Sequence, residues 1–274
     1  MKNVLITGDM GYIGSHLKKI IKEVRRDINI QGFDIKGHQS DVTVPSTLAS
    51  RPGIGDVTWD AVIHLAALVK VGESVKSPIS YYETNVNGTI NALRFLQYEH
   101  FILASTGAAS NPTSPYGHSK LMAEQCVQQY CVNNSIDSTI FRFYNVIGQD
   151  GFNPTNEDGL FYNLKKAVQT KQFNLYGTDY DTKDGTCVRE YVHVNDICLA
   201  IIRAIDNPAN NIENLAYGDT RTVREIIDTF KKTNSVDFEV IEKPRRQGDL
   251  EACYLPNPSP YMERNYTYEQ MLSI

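Results

Sequence analysis

The sequence predicts an α/β fold: a doubly wound parallel sheet followed by a smaller C-terminal domain. Three observations carry this. Short apolar runs alternate with helix-length amphipathic segments through the first half of the chain. Gly8, Gly11 and Gly14 stand between the first apolar run and the first amphipathic one. Asp34 closes the second apolar run. Strands separated by helix-length segments need crossovers, and crossovers cover both faces of a parallel sheet.

Taken in order, "NVLIT" (3–7) reads as a buried strand. "YIGSHLKKIIKEVRR" (12–26) carries Ile13, Leu17, Ile20, Ile21 and Val24 at helical spacing. "INIQGFD" (28–34) and "DAVIHLA" (60–66) are further strands, and 84–98 is a helix. "HFILAS" (100–105) is a strand, 116–132 a helix and "STIFRFYN" (138–145) a strand. Residues 146–187 are rich in Gly, Asn, Asp and Pro around one helix at 160–168, and 188–205 returns to strand-then-helix. A nucleotide-binding domain is expected over 1–144, with 188–218 returning to it, and a looser substrate-binding domain over 145–274.

Composition narrows the classes. The 274 residues carry a formal charge of −5. No basic stripe suggests nucleic acid, and no polybasic or long apolar segment suggests a membrane. The apolar run in "MKNVLITG" is too short for a signal peptide. The five cysteines show no CxxC and no metal spacing, so no metal site is expected. Scattered cysteines in an acidic chain read as reduced thiols, which places the protein in the cytoplasm.

The glycine turn "TGDMGYIGSH" follows a strand and opens a helix. Glycines there let backbone amides approach a pyrophosphate, and the helix N-terminus adds partial positive charge. Three glycines are often only a turn; the strand-to-helix position makes dinucleotide binding the better reading, and with it a Rossmann-type sheet. Asp34 lies twenty residues beyond Gly14. A carboxylate there accepts hydrogen bonds from ribose hydroxyls and repels a 2′-phosphate, which favours NAD over NADP. Its bland alternative is a capped turn. Asp41 in "SDVT" is a candidate adenine contact, and no full helix fits between it and Asp34.

"SPYGHSKL" places Tyr116 and Lys120 one helical turn apart on one face. A tyrosine with its ordinary pKa of about 10 needs a fall of about three units, roughly 4 kcal/mol, to act as a base at neutral pH. A buried ammonium and a positive nicotinamide ring are able to supply it. Thr106, at the end of the preceding strand, offers a hydroxyl to bridge substrate and tyrosine. YxxxK arises by chance in many helices, but here it follows a glycine turn and a strand ending in Ser105–Thr106.

With these motifs the chain resembles the extended short-chain dehydrogenase/reductases, and within them the UDP-glucose (UDP-galactose) 4-epimerase family. The matching segments are "GYIGSH", "AVIHLAALVKVGESVKSPISYYETNVNGT", "SPYGHSKLMAEQ", "FRFYNVIG", "YGTDYDTKDGTCVREYVHV" and "PRRQGDLEA". The resemblance implies a bound NAD and a UDP-sugar substrate, with a NAD-binding domain followed by a UDP-sugar-binding one. It implies that Tyr116 takes the proton of the sugar 4-hydroxyl, helped by Lys120 and by Thr106, which stands where the family usually has serine. Hydride passes to NAD, and the 4-keto sugar turns and takes it back on the other face. Cofactor contacts carried over are Gly8, Gly11, Tyr12, Ile13, Gly14, Asp34, Asp41, Val42, Ala66, Lys70, Asn85, Tyr116, Lys120 and Tyr144. Substrate contacts carried over are Asn145, Asn163, Leu164, Asn174, Tyr176, Arg189, Arg246, Asp249 and Cys253. Arginines suit a diphosphate because a guanidinium binds it as a fork. A small residue at Cys253 leaves room for an N-acetyl group, so UDP-GlcNAc and UDP-GalNAc are further candidates.

The chain departs from the family pattern in three places. Nine residues separate Thr106 from Tyr116, a shorter excursion than usual. The crossover after Asp34 is trimmed. "AALVKVGES" puts Val69 where the family has lysine, with Lys70 following. Neighbouring readings are a nucleotide-sugar 4,6-dehydratase or decarboxylase, and a non-catalytic NAD-binding protein. The former expect a carboxylate after the threonine, and Gly107-Ala108-Ala109 supplies none. The helices at 84–98 and 116–132 match the family's four-helix dimer interface, with Leu121, Cys126, Val127, Tyr130 and Cys131 available, so a homodimer is expected. The alternative is that these residues face the sheet.

Overall fold

The structure is a computed structural model. It describes every residue except 39, 155, 247, 248, 250 and 254–258, and it leaves aside the side chains of Gly37, His38 and Cys253. The elements in chain order are β1 (Lys2–Thr7), α1 (Tyr12–Val24), β2 (Ile28–Phe33), α2 (Ile35–His38), α3 (Pro45–Ala49), β3 (Thr58–Trp59) and β4 (Ala61–His64). Then come α4 (Val71–Lys76), α5 (Pro78–Tyr82), a π-helical turn (Glu83–Asn87), α6 (Gly88–Phe95), β5 (Gln97–Tyr98) and β6 (His100–Thr106). A 3₁₀ turn (Gly107–Ala109), α7 (Pro115–Asn133), β7 (Asp137–Phe143), β8 (Asn145–Ile147), α8 (Leu160–Thr170) and β9 (Gln172–Tyr176) follow. The remainder is β10 (Val188–His193), α9 (Val194–Asp206), β11 (Asn211–Leu215), β12 (Thr220–Thr222), α10 (Val223–Asn234), β13 (Glu239–Lys243), β14 (Ala252–Cys253) and α11 (Tyr268–Leu272).

The chain forms two compact units: 1–142 with 198–213, and 143–197 with 214–274. The second stretch of the first unit is 198–213. The main sheet has the order β11-β7-β6-β4-β1-β2, and β1 pairs in parallel with both β2 and β4. Successive strands go to opposite sides of β1, so the carboxyl ends of β1 and β4 flank the switch point where such sheets hold ligands. The segment after β2 holds the two short helices α2 and α3 in place of one full crossover helix.

Helix α1 forms because Leu17, Ile20 and Ile21 recur on one face; all three are buried. Burying each contributes roughly 1.5–3 kcal/mol. Val24, at the last position, is exposed instead. Leu5, Phe33, Trp59, Val62, Leu93, Phe101 and Val127 pack one core. Cys131 joins it, so Val127 and Cys131 face inward and are not available to a partner; Cys126 and Tyr130 are only partly buried. The predicted helix at 84–98 ends early: Gln97 and Tyr98 pair with β3.

The second unit has its own core, including Phe161, Leu164, Phe173, Tyr191, Phe230 and Met271. In this unit β10 pairs with β8, β12 and β14, and β9 runs parallel to β13. Among the described residues no helix is long and apolar enough to cross a membrane.

Candidate active site

The glycine turn lies at the carboxyl end of β1. Gly8 has φ +73°, and a Cβ there would stand 2.6 Å from the backbone nitrogen of Ala66, just past β4. A Cβ on Gly14 would stand 2.4 Å from the Gly8 carbonyl. Only glycine tolerates both, so the turn packs flat against the following loop. Gly11 caps α1 in extended conformation without a side-chain bond, which leaves the helix N-terminus open to an anion. Tyr12 opens the helix; its ring meets His16 edge-on, and burial pushes its phenol up. The Ile13 carbonyl faces the Cys198 thiol.

Asp34 is buried, and its oxygens accept the backbone N–H groups of Met10 at 3.1 Å and Lys36 at 2.8 Å. An ionised carboxylate has about four acceptor positions, so capacity remains for ribose hydroxyls. A cradle without Cβ atoms, an open helix end and this carboxylate fit a dinucleotide. Asp41 spends one oxygen on the N–H and hydroxyl of Thr43, at 2.8 Å each, and forms a turn. Val42 departs from expectation: its side chain is buried in the core against Gly88, and its carbonyl accepts the Asn91 amide at 3.0 Å. Lys70 exchanges two hydrogen bonds with the Tyr81 hydroxyl through its backbone, at 3.0 and 2.7 Å.

The first turn of α7 is set by Ser114, whose hydroxyl accepts the Gly117 N–H at 3.3 Å, and by Pro115. A Cβ on Gly117 would stand 2.8 Å from the Ala108 carbonyl, so glycine lets the short connection press on the helix. This places Tyr116 beside Thr106, whose hydroxyl favours the ionised phenol. Thr106 Oγ1 also accepts the Ala108 N–H at 3.3 Å, which leaves the threonine proton for the phenol. Lys120 is buried at 3 % exposure. Asn85 sits in the π turn; its amide bonds both backbone groups of Leu68, at 2.8 and 3.0 Å, and Ser119 Oγ at 3.0 Å. Ser119 in turn donates to the Tyr116 carbonyl at 2.8 Å.

Burial dominates the electrostatics of the chain without its cofactor. Burial holds the Tyr116 phenol above its ordinary value, opposed only by the Thr106 hydrogen bond. Lys120 is itself pushed down to about 8 by burial, with Glu124 acting in the other direction. His64, at the end of β4, is held neutral, pushed down to about 3 by burial and then by Lys120.

The expected substrate residues lie in the second unit, as does Tyr144, whose hydroxyl donates to Asn214 at 3.3 Å. Asn145 donates to the Glu190 carbonyl at 3.2 Å, and Asn163 to the carbonyls of Glu157 and Gly159 at 2.7 and 2.9 Å. Leu164 is fully buried in the core, so its side chain is not open to a ligand. Asn174 is exposed on β9. Arg246 lies 4.1 Å over the Tyr176 ring and donates to the Asp158 carbonyl. Arg189 donates to the carbonyls of Val188 and Glu251. The Asp249 N–H bonds the Arg246 carbonyl at 3.3 Å. The Cys253 side chain lies outside the described residues. Sequence reasoning missed Ser105, Glu124 and Arg142, which meet behind Thr106. The available signal was Glu124 four residues beyond Lys120 on the same helix face.

A dinucleotide cradle at a sheet switch point, with a threonine, tyrosine and lysine beside it in one unit, defines a class: the Rossmann-type, short-chain dehydrogenase/reductase-like enzymes. Residues 4–217 match the model of the "NAD dependent epimerase/dehydratase family", and the chain belongs to that family. It is 30% identical over 283 residues to a UDP-glucose 4-epimerase of Rhizobium meliloti, covering 90% of this chain and 86% of that one. It is 31% identical to a probable UDP-arabinose 4-epimerase 3 of Arabidopsis thaliana, covering 92% and 73%. Among solved structures, UDP-glucose 4-epimerase from Bifidobacterium longum in complex with NAD+ and UDP superposes with a TM-score of 0.87 at 27% identity, covering 98% and 96%.

Proposed function

We propose that this chain is a NAD-dependent isomerase that inverts C4 of a UDP-hexose, UDP-glucose or UDP-galactose, through a 4-keto intermediate. The observation that carries the reading is Tyr116 beside the Thr106 hydroxyl, with Lys120 buried one turn along the same helix. Tyr116 Oη takes the proton of the sugar 4-hydroxyl and later returns one to the 4-oxygen. Thr106 orients that hydroxyl, and the Lys120 ammonium steadies the phenolate. Gly8, Gly11 and Gly14 admit the pyrophosphate, Asp34 holds the ribose, and Asn85 fixes the loop beside the nicotinamide. NAD, when bound, supplies the reversible two-electron acceptor and a positive ring charge that offsets the cost of burying the phenolate.

The residues after Thr106 support epimerisation over dehydration. They are a 3₁₀ turn of glycine and alanines with no acid to protonate a leaving hydroxyl. In the second unit Arg189, Arg246 and Asp249 bind the diphosphate and ribose, and Asn174 and Tyr176 border the uracil. Asn145, Asn163 and the backbone of Leu164 complete the sugar-nucleotide contacts. Cys253 lets an N-acetylated sugar enter. The protein acts in the cytoplasm as a homodimer, with no nucleic-acid partner; an open groove lined by Ile90, Leu93, Cys126 and Tyr130 on α6 and α7 supports the dimer.

The test is purified protein with UDP-galactose and no added cofactor, scored for UDP-glucose and for NAD in the denatured supernatant. Turnover with recovered NAD is expected. Free NADH accumulating in step with keto-sugar would make the chain a one-way oxidoreductase instead. Bound NAD with no turnover would leave a binding protein.

A further inference from the structure

Tyr116 and Lys120 begin a row that continues. Positions 116, 120 and 124 share one face of α7, and Glu124 is 1 % exposed. Its Oε1 accepts the Ser105 hydroxyl at 2.5 Å and Arg142 Nε at 2.9 Å; its Oε2 accepts Arg142 Nη2 at 2.6 Å. Arg142 Nη1 then donates to Ser110 Oγ at 3.0 Å. Ser105 directly precedes Thr106, and Ser110 lies in the short connection that follows it. One carboxylate is therefore tied to both flanks of Thr106, directly through β6 and by way of Arg142 on β7.

Such a pair is poorly explained by stability alone. Taking two ions out of water costs several kcal/mol each, and a well-packed apolar pair often does as well. Its value lies in geometry and charge. A forked guanidinium fixes the carboxylate plane, and the carboxylate fixes Ser105.

We propose that Glu124, gripped by Arg142, is a positioning residue for the proton-transfer pair: it sets Thr106 against the Tyr116 phenol and presents its negative charge one helical turn from Lys120. This rests on the function proposed above insofar as Tyr116 is the group that moves the proton. The surroundings leave this task to Glu124. From β4, His64 faces Lys120 and is held neutral. From α5, the Tyr81 ring stands 6.3 Å from that of Tyr116, edge-on. From β6 come the hydroxyls of Ser105 and Thr106, and from β7 only Arg142, already bound to Glu124. Burial drives Lys120 towards its neutral form, and Glu124 works against that. Without the carboxylate, Lys120 loses its proton at lower pH and Tyr116 is deprived of its neighbouring cation.

The experiment uses the NAD-loaded protein labelled with ¹³C at tyrosine Cζ, with Tyr116→Phe to assign the Tyr116 resonance. In Glu124→Gln the Tyr116 midpoint is expected to rise by about one pH unit, and kcat at pH 7 to fall about tenfold, since one unit is a factor of ten in the reactive form. The alkaline limb of the pH–rate profile, set by Lys120, moves towards neutrality. A Tyr116 midpoint unchanged in folded Glu124→Gln overturns the proposal. Should that variant fail to fold, Ser105→Ala decides: a severalfold lower kcat at unchanged KM supports positioning, and unchanged kcat overturns it. If the wild-type protein turns over no UDP-hexose, the functional reading fails, yet the Tyr116 midpoint in Glu124→Gln still decides whether this carboxylate governs the phenol.

Discussion

Mild acid is expected to loosen the first unit, and two of its buried histidines, His64 and His100, contribute a sizeable effect. His64 is pushed down to about 3 and His100 to about 4, both by burial. Each is neutral in the folded state and titrates near 6.5 when unfolded. Between about pH 4 and pH 6.5 the unfolded chain binds more protons, so stability is complete above pH 6.5 and drains as pH falls. Integrated from pH 7 to pH 5, each histidine costs about 2 kcal/mol, or about 4 kcal/mol together. That is a large part of a typical stability of 5–15 kcal/mol. Carboxylates with ordinary unfolded values near 4 contribute little above pH 5. The chain's one tryptophan, Trp59, is buried in the same core and donates to the Ile54 carbonyl at 3.2 Å. Its fluorescence therefore follows unfolding of this unit alone. Urea midpoints by Trp59 emission are expected to fall by ~1 M or more from pH 7 to pH 5. His64→Gln is expected to remove about half of that drop, because the loss of native contacts is the same at both pH values and cancels. Equal midpoints at the two pH values would refute the reasoning, as would a full drop in His64→Gln.

Other consequences are open to direct measurement. Thr106→Val removes the hydroxyl bonded to the phenol and keeps its shape; with a charge-assisted bond worth roughly 1.5–3 kcal/mol, epimerase kcat at pH 7 falls about 10- to 150-fold. Gly14→Ala drives a methyl to 2.4 Å from the Gly8 carbonyl, so the protein is expected to lose its co-purifying NAD, read in the denatured supernatant. Thr222→Ala breaks the capping box that Thr222 and Glu225 form at the start of α10. It is expected to cost about 1 kcal/mol, a melting shift of about 2–4 °C, with turnover unchanged.

The order of the first unit was legible because periodicity is a local property. Leu17, Ile20 and Ile21 announce α1, and "NVLIT" and "AVIH" announce two central strands. The trimmed crossover was legible from the count between Asp34 and Asp41. The π turn at 83–87 was not, because no composition signals one extra residue in a helical turn. The second unit resisted reading for another reason. Its strands β8, β12 and β14 are two or three residues long, too short to show alternation. At the site, Tyr116 and Lys120 are near neighbours in sequence, so their shared face could be derived. The grip of Arg142 on Glu124 joins residues eighteen apart on different elements, which spacing does not encode. The burial of Tyr116 was not legible for a related reason: it depends on what surrounds a ring in space, which spacing along the chain does not encode.

The first unit is made of two separate stretches, and the last of its sheet strands, β11, begins at Asn211. During synthesis at about 5–20 residues per second, the ribosome must therefore deliver most of the polypeptide before β7 gains its outer neighbour. Until then β7 presents a bare edge to the cell. A stop codon between 142 and 211 would release, and a stall there would hold on the ribosome, a chain whose unpaired edge invites chaperones and aggregation.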